Sequence, residues 1–387
     1  MIPISYTVRN VLKHKITSVL TILGVGLVVF VYVGTQMLVD GLQSTHLSTG
    51  SDNNVIIIRR ASQTEVSSII MRDQAQIIGA MPEIARDADG SPRFANENYV
   101  LIARAKRSGG DMANVVVRGV TDKSMTLRPN IRLVEGRMFT PGTSEIIAGK
   151  LAAARFTGCG LGETIRFGQR EWTVVGIIDA GGSAYDSEIW GDIRQTSDAF
   201  RRPIYSSLTF QLADPSQYQG LKERIEGDPR LPLDMFHEKE YYANQSRTMS
   251  GFLTIAGKAI SYIFSLGAIV GAMITMYAAV ANRTREIGTL RSLGFSRLSI
   301  LRTFLFEAIV ISLSGGIVGI IAASFLRFVQ VSTINWDTFS ELVFNFSISG
   351  GIIMEALIFA LVMGLVGGFL PAVRASRLKI IDSLRAA

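Results

Sequence analysis

Four stretches of this chain break an otherwise ordinary alternation of polar and apolar residues. Uncharged runs lie between Lys15 and Asp40 and between Lys258 and Arg283. Another, from Arg302 to Arg327, is interrupted only by Glu307, and a fourth, from Glu341 to Arg374, only by Glu355. A helix rises about 1.5 Å per residue, so about 20 apolar residues cross a hydrocarbon core. Each run is long enough. The pattern predicts four transmembrane helices, over residues 16–39, 252–282, 303–326 and 347–370.

Between the first and second runs the period changes. Strand-like segments occur at NNVIIIRR (53–60), YVLIARAK (99–106), NVVVRGV (114–120), SEIIAGK (144–150) and SSLTFQLA (206–213). ETIRFGQREWTVVGIID (163–179) predicts a hairpin turning at Gly168-Gln169, with β-branched residues on both arms. Helical spacing marks 64–80, 150–157 and 215–226, the last opened by the start signal Asp214-Pro215. Residues 40–250 therefore form an α+β domain with its own core, and a division into two subdomains would fall near 181–204. Residues 233–250 are polar and helix-compatible, a stalk into the second span. The fold class expected is a membrane protein with four transmembrane α-helices (1+3) and a large α+β extracytoplasmic domain between helices 1 and 2.

Charge gives the orientation. Residues 1–16 hold three Lys/Arg and no acid, 282–302 five against Glu286, and 371–387 four against Asp382. The long segment 40–258 balances 26 basic residues with 26 acidic ones. Basic residues in short loops stay cytoplasmic, so both termini and the loop 283–302 are expected inside and the large domain outside. These flanking charges also account for the net charge of +7 without nucleic-acid binding. The first run exceeds a signal peptide's apolar core and lacks an A-x-A-like site after it, so it reads as a retained anchor. The lone Cys159 excludes an internal disulfide and reads as a small buried hydrophobe.

The most polar loop between spans is RTREIGTLRSLGFSR (283–297). Read as a short helix, it places Ile287, Leu290 and Leu293 on one flank, with Gly294 ending it and Ser296 capping the next helix. Three spans carry small residues four apart: Gly267/Gly271, Gly315/Gly319 and Gly364/Gly368. That spacing lets helix backbones approach closely in lipid, within one chain or across a homodimer seam. Glu355 lies deep in a span, where an acid must be protonated, paired or facing protein. Glu307, nearer the headgroups, calls for a local ion pair. Arg327, Trp336 and the loop 327–346 read as an interfacial anchor. Catalytic chemistry finds little: His14, His46 and His237 show no metal spacing, and G-x-x-x-x-G-K-[ST] is missing from the sequence.

NRTREIGTLRSLGFSRLSILRTFLFEAIV resembles the signature of MacB/LolC/FtsX-type ABC transporter permeases, the mechanotransmission (type VII) group. TVRNVLKHKITSVLTILGVGL (7–27) is similar to that family's opening amphipathic helix (1–16) and first span. GGFLPAVRASRLKIIDSLRAA (367–387) is similar to its closing motif and cytoplasmic tail (371–387), with Pro371 breaking the fourth span. VVVRGVTD and VEGRMFTPGTSEIIAGKLAAARF resemble its periplasmic core domain. The resemblance implies a permease subunit without a fused ATPase, in a bacterial inner membrane, exporting or extracting a lipoprotein, lipid, peptide or amphipathic compound. It implies a cytoplasmic ABC ATPase partner that binds the ATP and magnesium, leaving no cofactor in this chain. A second permease copy or a related permease, a periplasmic adaptor or substrate-binding protein, and membrane lipids complete the expected partners. The coupling helix would contact the ATPase through Arg285, Glu286, Ile287, Gly288, Leu290, Arg291, Leu293 and Gly294, the Ile287/Leu290/Leu293 flank filling a groove. The alternative is an FtsX-like regulator of a cell-wall hydrolase, a group whose outer domains tend to be smaller.

Overall fold

The computed structural model describes residues 15–336 and 338–379. The segments 1–14 and 380–387, with the expected amphipathic helix and the end of the tail, lie outside the described residues. The chain divides into two units. The membrane unit comprises residues up to Gly41, Gly251–Val329 and Asn345 onward, and the outer unit comprises Leu42–Ser250 and Gln330–Phe344.

Helix α1 (Lys15–Thr49) opens the chain. In the outer unit there follow β1 (Asn54–Arg59), α2 (Arg72–Gly79), β2 (Phe94–Ala105), β3 (Met112–Val120), α3 (Asp122–Thr126), β4 (Arg132–Gly136) and β5 (Glu145–Gly149). Then come α4 (Lys150–Arg155), β6 (Thr164–Phe167), β7 (Arg170–Asp179), β8 (Glu188–Asp192), α5 (Ile193–Ala199), β9 (Ser207–Gln211), α6 (Tyr218–Gly227) and β10 (Leu233–His237). These ten strands form one mixed sheet in the order β10-β1-β9-β2-β3-β8-β5-β7-β4, with β6 beside β7. Strand β1 shows why its sequence is a continuous apolar run. Val55 and Ile57 pack on one face, with Ile70, Leu208 and Phe210, while Ile56 and Ile58 pack on the other, with Tyr185, Trp190 and Tyr242. Both faces are covered, so neither can be polar. The Gly168-Gln169 turn forms, with φ of 54° and 63° and Phe167 opposite Arg170. Burial pushes the Cys159 thiol up to about 11, consistent with a packed, inert side chain.

Several expectations are corrected here. The division near 181–204 fails because β8 lies in the middle of the sheet, parallel to β3 and antiparallel to β5. The long β2 also runs through both halves, pairing with β9 at Phe94–Glu97 and with β3 from Asn98 onward. Residues 64–71 are not helical; helix α2 begins only at Arg72. The stalk is not helical from 233: Leu233–His237 is a strand whose Leu233 and Met235 enter the core, with Met235 opposite Ile57. Tertiary pairing overrides local helical compatibility there.

Helix α7 (Glu238–Asn282) then runs unbroken for 45 residues. It is followed by α8 (Thr284–Ser292), α9 (Arg297–Ser324), the hairpin β11 (Gln330–Ile334) and β12 (Glu341–Asn345), and α10 (Gly350–Arg377). Among the described residues, four helices are long and apolar enough to cross a membrane. Pro371 lies inside α10 rather than breaking it. A proline without its N–H is tolerated in membrane helices, where neighbouring groups satisfy the freed carbonyl. The segment 327–346 is not a simple interfacial loop. Its hairpin belongs to the outer unit, where the buried Glu341 carboxylate pairs with Lys106 and Arg155, each at 2.8 Å. Burial pushes the Glu341 carboxyl up, but the two cations and Ser332 hold it below its usual value. An acid buried this way needs its cations close, and that fixes where the hairpin sits.

The glycine pairs separate into two kinds. A Cβ on Gly315 would come within 2.8 Å of the Ile22 carbonyl, and one on Gly319 within 2.4 Å of that of Gly26. One on Gly368 would meet the Ala308 Cβ at 2.3 Å, and one on Gly364 the Ser312 Cβ at 2.7 Å. These two pairs pack helix on helix within the chain. A Cβ on Gly267 or Gly271 would meet no neighbouring helix within 4 Å among the described residues.

Candidate coupling elbow

The elbow is set by backbone breaks. Helix α7 ends at Asn282, and Arg283 takes φ −114° and ψ 13°, outside the helical well. After α8, Gly294 adopts φ +90°, a conformation that costs a side-chain-bearing residue energy. The Phe295 N–H bonds back to the Leu290 carbonyl at 3.2 Å, and Ser296 caps α9 by accepting the Ser299 N–H at 3.2 Å. The chain thus turns twice within about four helical turns.

One face of α8 is rooted in the spans. Ile287 is 1% exposed and packs with Met276, Val280, Ile300, Phe304 and Ala372, with Leu290 against the same cluster. Gly288 is buried too. The expected groove-filling flank is therefore corrected: Ile287 and Leu290 face their own chain. Leu293 is 71% exposed, and Arg285 and Glu286 also lie on the outward surface. Arg291 is half-buried and Gly294 exposed. Of the eight residues expected to meet the ATPase, Arg285, Glu286, Leu293 and Gly294 are open to a partner.

Two residues outside the eight expected coupling residues hold the elbow. Arg283 donates from Nη1 to Glu307 Oε2 at 3.0 Å and from Nε to Glu286 Oε2 at 3.1 Å, and its guanidinium lies 4.9 Å from the Phe304 ring centre. The side chains of Arg283 and Glu307 are 5% and 8% exposed. The local ion pair expected for Glu307 thus exists, closed by the residue that begins the elbow. A lone acid in the third span and a lone arginine at the end of the second were the available signals.

Within the spans, the Tyr32 hydroxyl donates to Glu355 Oε2 at 3.0 Å, and the Tyr32 ring stacks on Phe359 at 4.9 Å. The rest of Glu355 stays exposed on the unit's surface. A glutamine at 355 still accepts this bond, so Glu355→Gln is expected to leave nucleotide-driven activity unchanged, and Tyr32→Phe to cost about 1 kcal/mol in thermal unfolding. A loss of activity in Glu355→Gln would show that the charge itself is used.

The other end of α7 starts in a buried charge cluster of the outer unit. Arg118 reaches Glu65 at 2.7 Å, Glu188 at 2.7 Å and Glu97 at 2.9 Å. Arg128 pairs with Glu97 and, at 3.1 Å, with Glu238, the first residue of α7. Glu238 also accepts the Ser51 N–H at 3.0 Å and the Asn54 amide at 2.8 Å. All six charged side chains are buried. Four carboxyls share two guanidiniums, and the environments separate them. Burial pushes Glu97 up, but Arg128 and Arg118 outweigh it and hold its carboxyl below the usual range. For Glu238 burial dominates, and the pKa rises despite Arg128 and the two hydrogen bonds.

An acid whose folded pKa stands above its unfolded value stabilises while protonated, and that contribution is lost as pH rises through the folded pKa. Glu238→Gln is therefore expected to flatten the decline in stability as pH rises above the ordinary carboxylate range, read by thermal unfolding. Glu97 acts oppositely, losing its contribution as pH falls below the ordinary carboxylate range. An unchanged slope in Glu238→Gln would assign the raised acid elsewhere in the cluster.

Among the described residues, four membrane-length helices, an α+β domain between the first and second, and a short helix between the second and third make the architecture of a multi-span membrane protein. Residues 18–228 match the MacB-like periplasmic core domain, and 258–380 match the FtsX-like permease C-terminal region. The chain belongs to this MacB/FtsX-type family of ABC transporter permeases. It is 26% identical to the uncharacterized ABC transporter permease YknZ of Bacillus subtilis, over 99% of this chain and 98% of that one. It is also 26% identical to the macrolide export ATP-binding/permease protein MacB of Nitrobacter winogradskyi, over 96% of this chain but only 58% of that relative. The extracellular domain of a YknZ transporter from Gram-positive bacteria aligns with TM-score 0.36 and 14% identity, over 48% of this chain and all of that one.

Proposed function

We propose that this chain is the membrane subunit of an ATP-driven exporter or extractor. A separate cytoplasmic ABC ATPase docks on the open face of α8, and ATP-driven closure displaces the elbow. Helix α7, continuous from the elbow to the cluster at Glu238, carries that displacement toward the outer domain. The observation that carries this reading is the division of α8 into a rooted face, with Ile287 and Leu290, and an open one, with Arg285, Glu286 and Leu293. A peripheral helix that only rested on lipid would bury its apolar face in headgroups instead.

On this reading the chain contributes no catalytic residue; ATP and magnesium belong to the partner. Two copies, or one with a related permease, bind two ATPases, and the termini are cytoplasmic. The cargo is amphipathic or lipid-linked and leaves from the outer side of the membrane, so it needs no polar track between the spans. The macrolide export of the MacB relatives fits this class, as does an adaptor on the outer face.

The test is purification of the tagged full-length protein from its host in mild detergent, with mass spectrometry of the co-purifying chains. Recovery of an ATPase bearing a phosphate-loop motif is the expected result. Recovery of a peptidoglycan hydrolase without an exporter-type adaptor would replace the export reading with the regulatory one.

A further inference from the structure

We infer that Arg283 and Glu307 form the joint that makes the coupling elbow and the third span move as one body. The inference rests on the exporter reading and deepens it, by naming how a push on α8 enters the spans. Arg283 lies at the break between α7 and α8, where a bare turn would act as a hinge. A hinge absorbs displacement; a transmitting element must not bend.

The geometry closes that hinge from three sides. Toward α8, Nε holds Glu286 one turn ahead at 3.1 Å. Toward α9, Nη1 holds Glu307 at 3.0 Å, and the guanidinium plane meets the Phe304 ring, one turn before Glu307. Toward α7, the Arg283 N–H bonds the Val280 carbonyl at 3.2 Å. The guanidinium thus joins α8 to α9, and the backbone of the same residue is tied to α7; arginine's fixed fork suits that joint better than a flexible ammonium. The Ile287 cluster beneath adds contact but no direction, since apolar packing permits small sliding. The ion pair supplies the direction. Neither residue lies on the open face of α8, so both are positioning residues, and docking itself does not require them.

The test uses the full-length chain with its ATPase in lipid nanodiscs. Two readouts are compared: the affinity of the ATPase for the permease, and the ATP-dependent change in hydrogen exchange of α9 and the outer domain. A hydrolysis-deficient ATPase holds the ATP state. The variants are Arg283→Gln, Glu307→Gln, the double glutamine variant and Arg283→Lys. The double variant keeps a hydrogen-bonded neutral pair, so it folds without a lone buried charge.

Expected is unchanged docking in all four, with the ATP-dependent response falling about tenfold in the three glutamine variants, within the usual range of a coupling interaction. Arg283→Lys keeps the charge but not the fork that reaches Glu286, Glu307 and Phe304 together, so it should fold and dock while losing much of the response. A double variant that folds, docks and responds like the wild type would overturn the joint. So would a loss of docking in parallel with response, which would make the pair a mere scaffold. Failure of the wild type to bind any ATPase would instead remove the exporter reading, and this inference with it.

Discussion

Arg118→Met is expected to destabilise the outer domain by about 3–5 kcal/mol, the range for removing one partner of a buried ion pair. The side chain is 1% exposed, and it serves three buried carboxylates. Burial works against the Arg118 charge, but Glu188 and Glu65 push its pKa well above the ordinary value. For a unit of this size each kcal/mol moves the midpoint by about 2–4 °C, so thermal unfolding of the full-length protein should show a drop of about 10 °C. Charge, not volume, is the cause. Glu65→Gln and Glu188→Gln, added to Arg118→Met, should recover part of the loss, because replacing a whole buried ionic group costs far less than orphaning half of it. No recovery in the triple variant would move the cause to packing around Tyr99 and Tyr185, which lie beside the guanidinium at 4.9 and 5.3 Å.

That cluster also marks the limit of reading the chain alone. VVVRGV places an arginine inside a strand whose valines are buried on both faces, and this is a legible sign that Arg118 is buried too. Its partners are not legible. Glu65, Glu97, Glu188 and Glu238 come from four separate segments, and only the strand order brings them together. Strand β10 fails for a similar reason. Leu233–His237 has no strong local preference, and its state is decided by pairing with β1, far away in sequence. The spans and the elbow were legible because a bilayer imposes a length and a polarity that no tertiary contact can override.

The facing of the elbow was misread for a geometric reason. Spacings of three residues advance about 300° on a helix of 3.6 residues per turn, so each step drifts back by about 60°. From Ile287 through Leu290 to Leu293 the drift reaches about 120°, which carries the third leucine off the flank shared by the first. Leu293 also lies just past the end of α8, at its C-cap. The three residues spread from fully buried to exposed, in that order.

Leu293 is therefore the residue whose loss should most weaken ATPase docking. It is a large apolar side chain held clear of its own bundle, between a helix end and a glycine turn that fix its direction. Apolar anchors of this kind carry about 2 kcal/mol or more when they fill a partner's pocket, so Leu293→Asp should weaken the complex about thirtyfold. The comparison that isolates docking from folding is Ile287→Ala, which opens a cavity in the bundle and should lower the melting temperature with a smaller effect on affinity. Leu293→Asp should do the reverse, leaving the melting temperature unchanged while the ATPase is lost from the purified complex. Retention of the ATPase by Leu293→Asp would place the contact on Arg285 and Glu286 instead, and the interface would then be ionic. In that case it would weaken with added salt, whereas a leucine-anchored one would not.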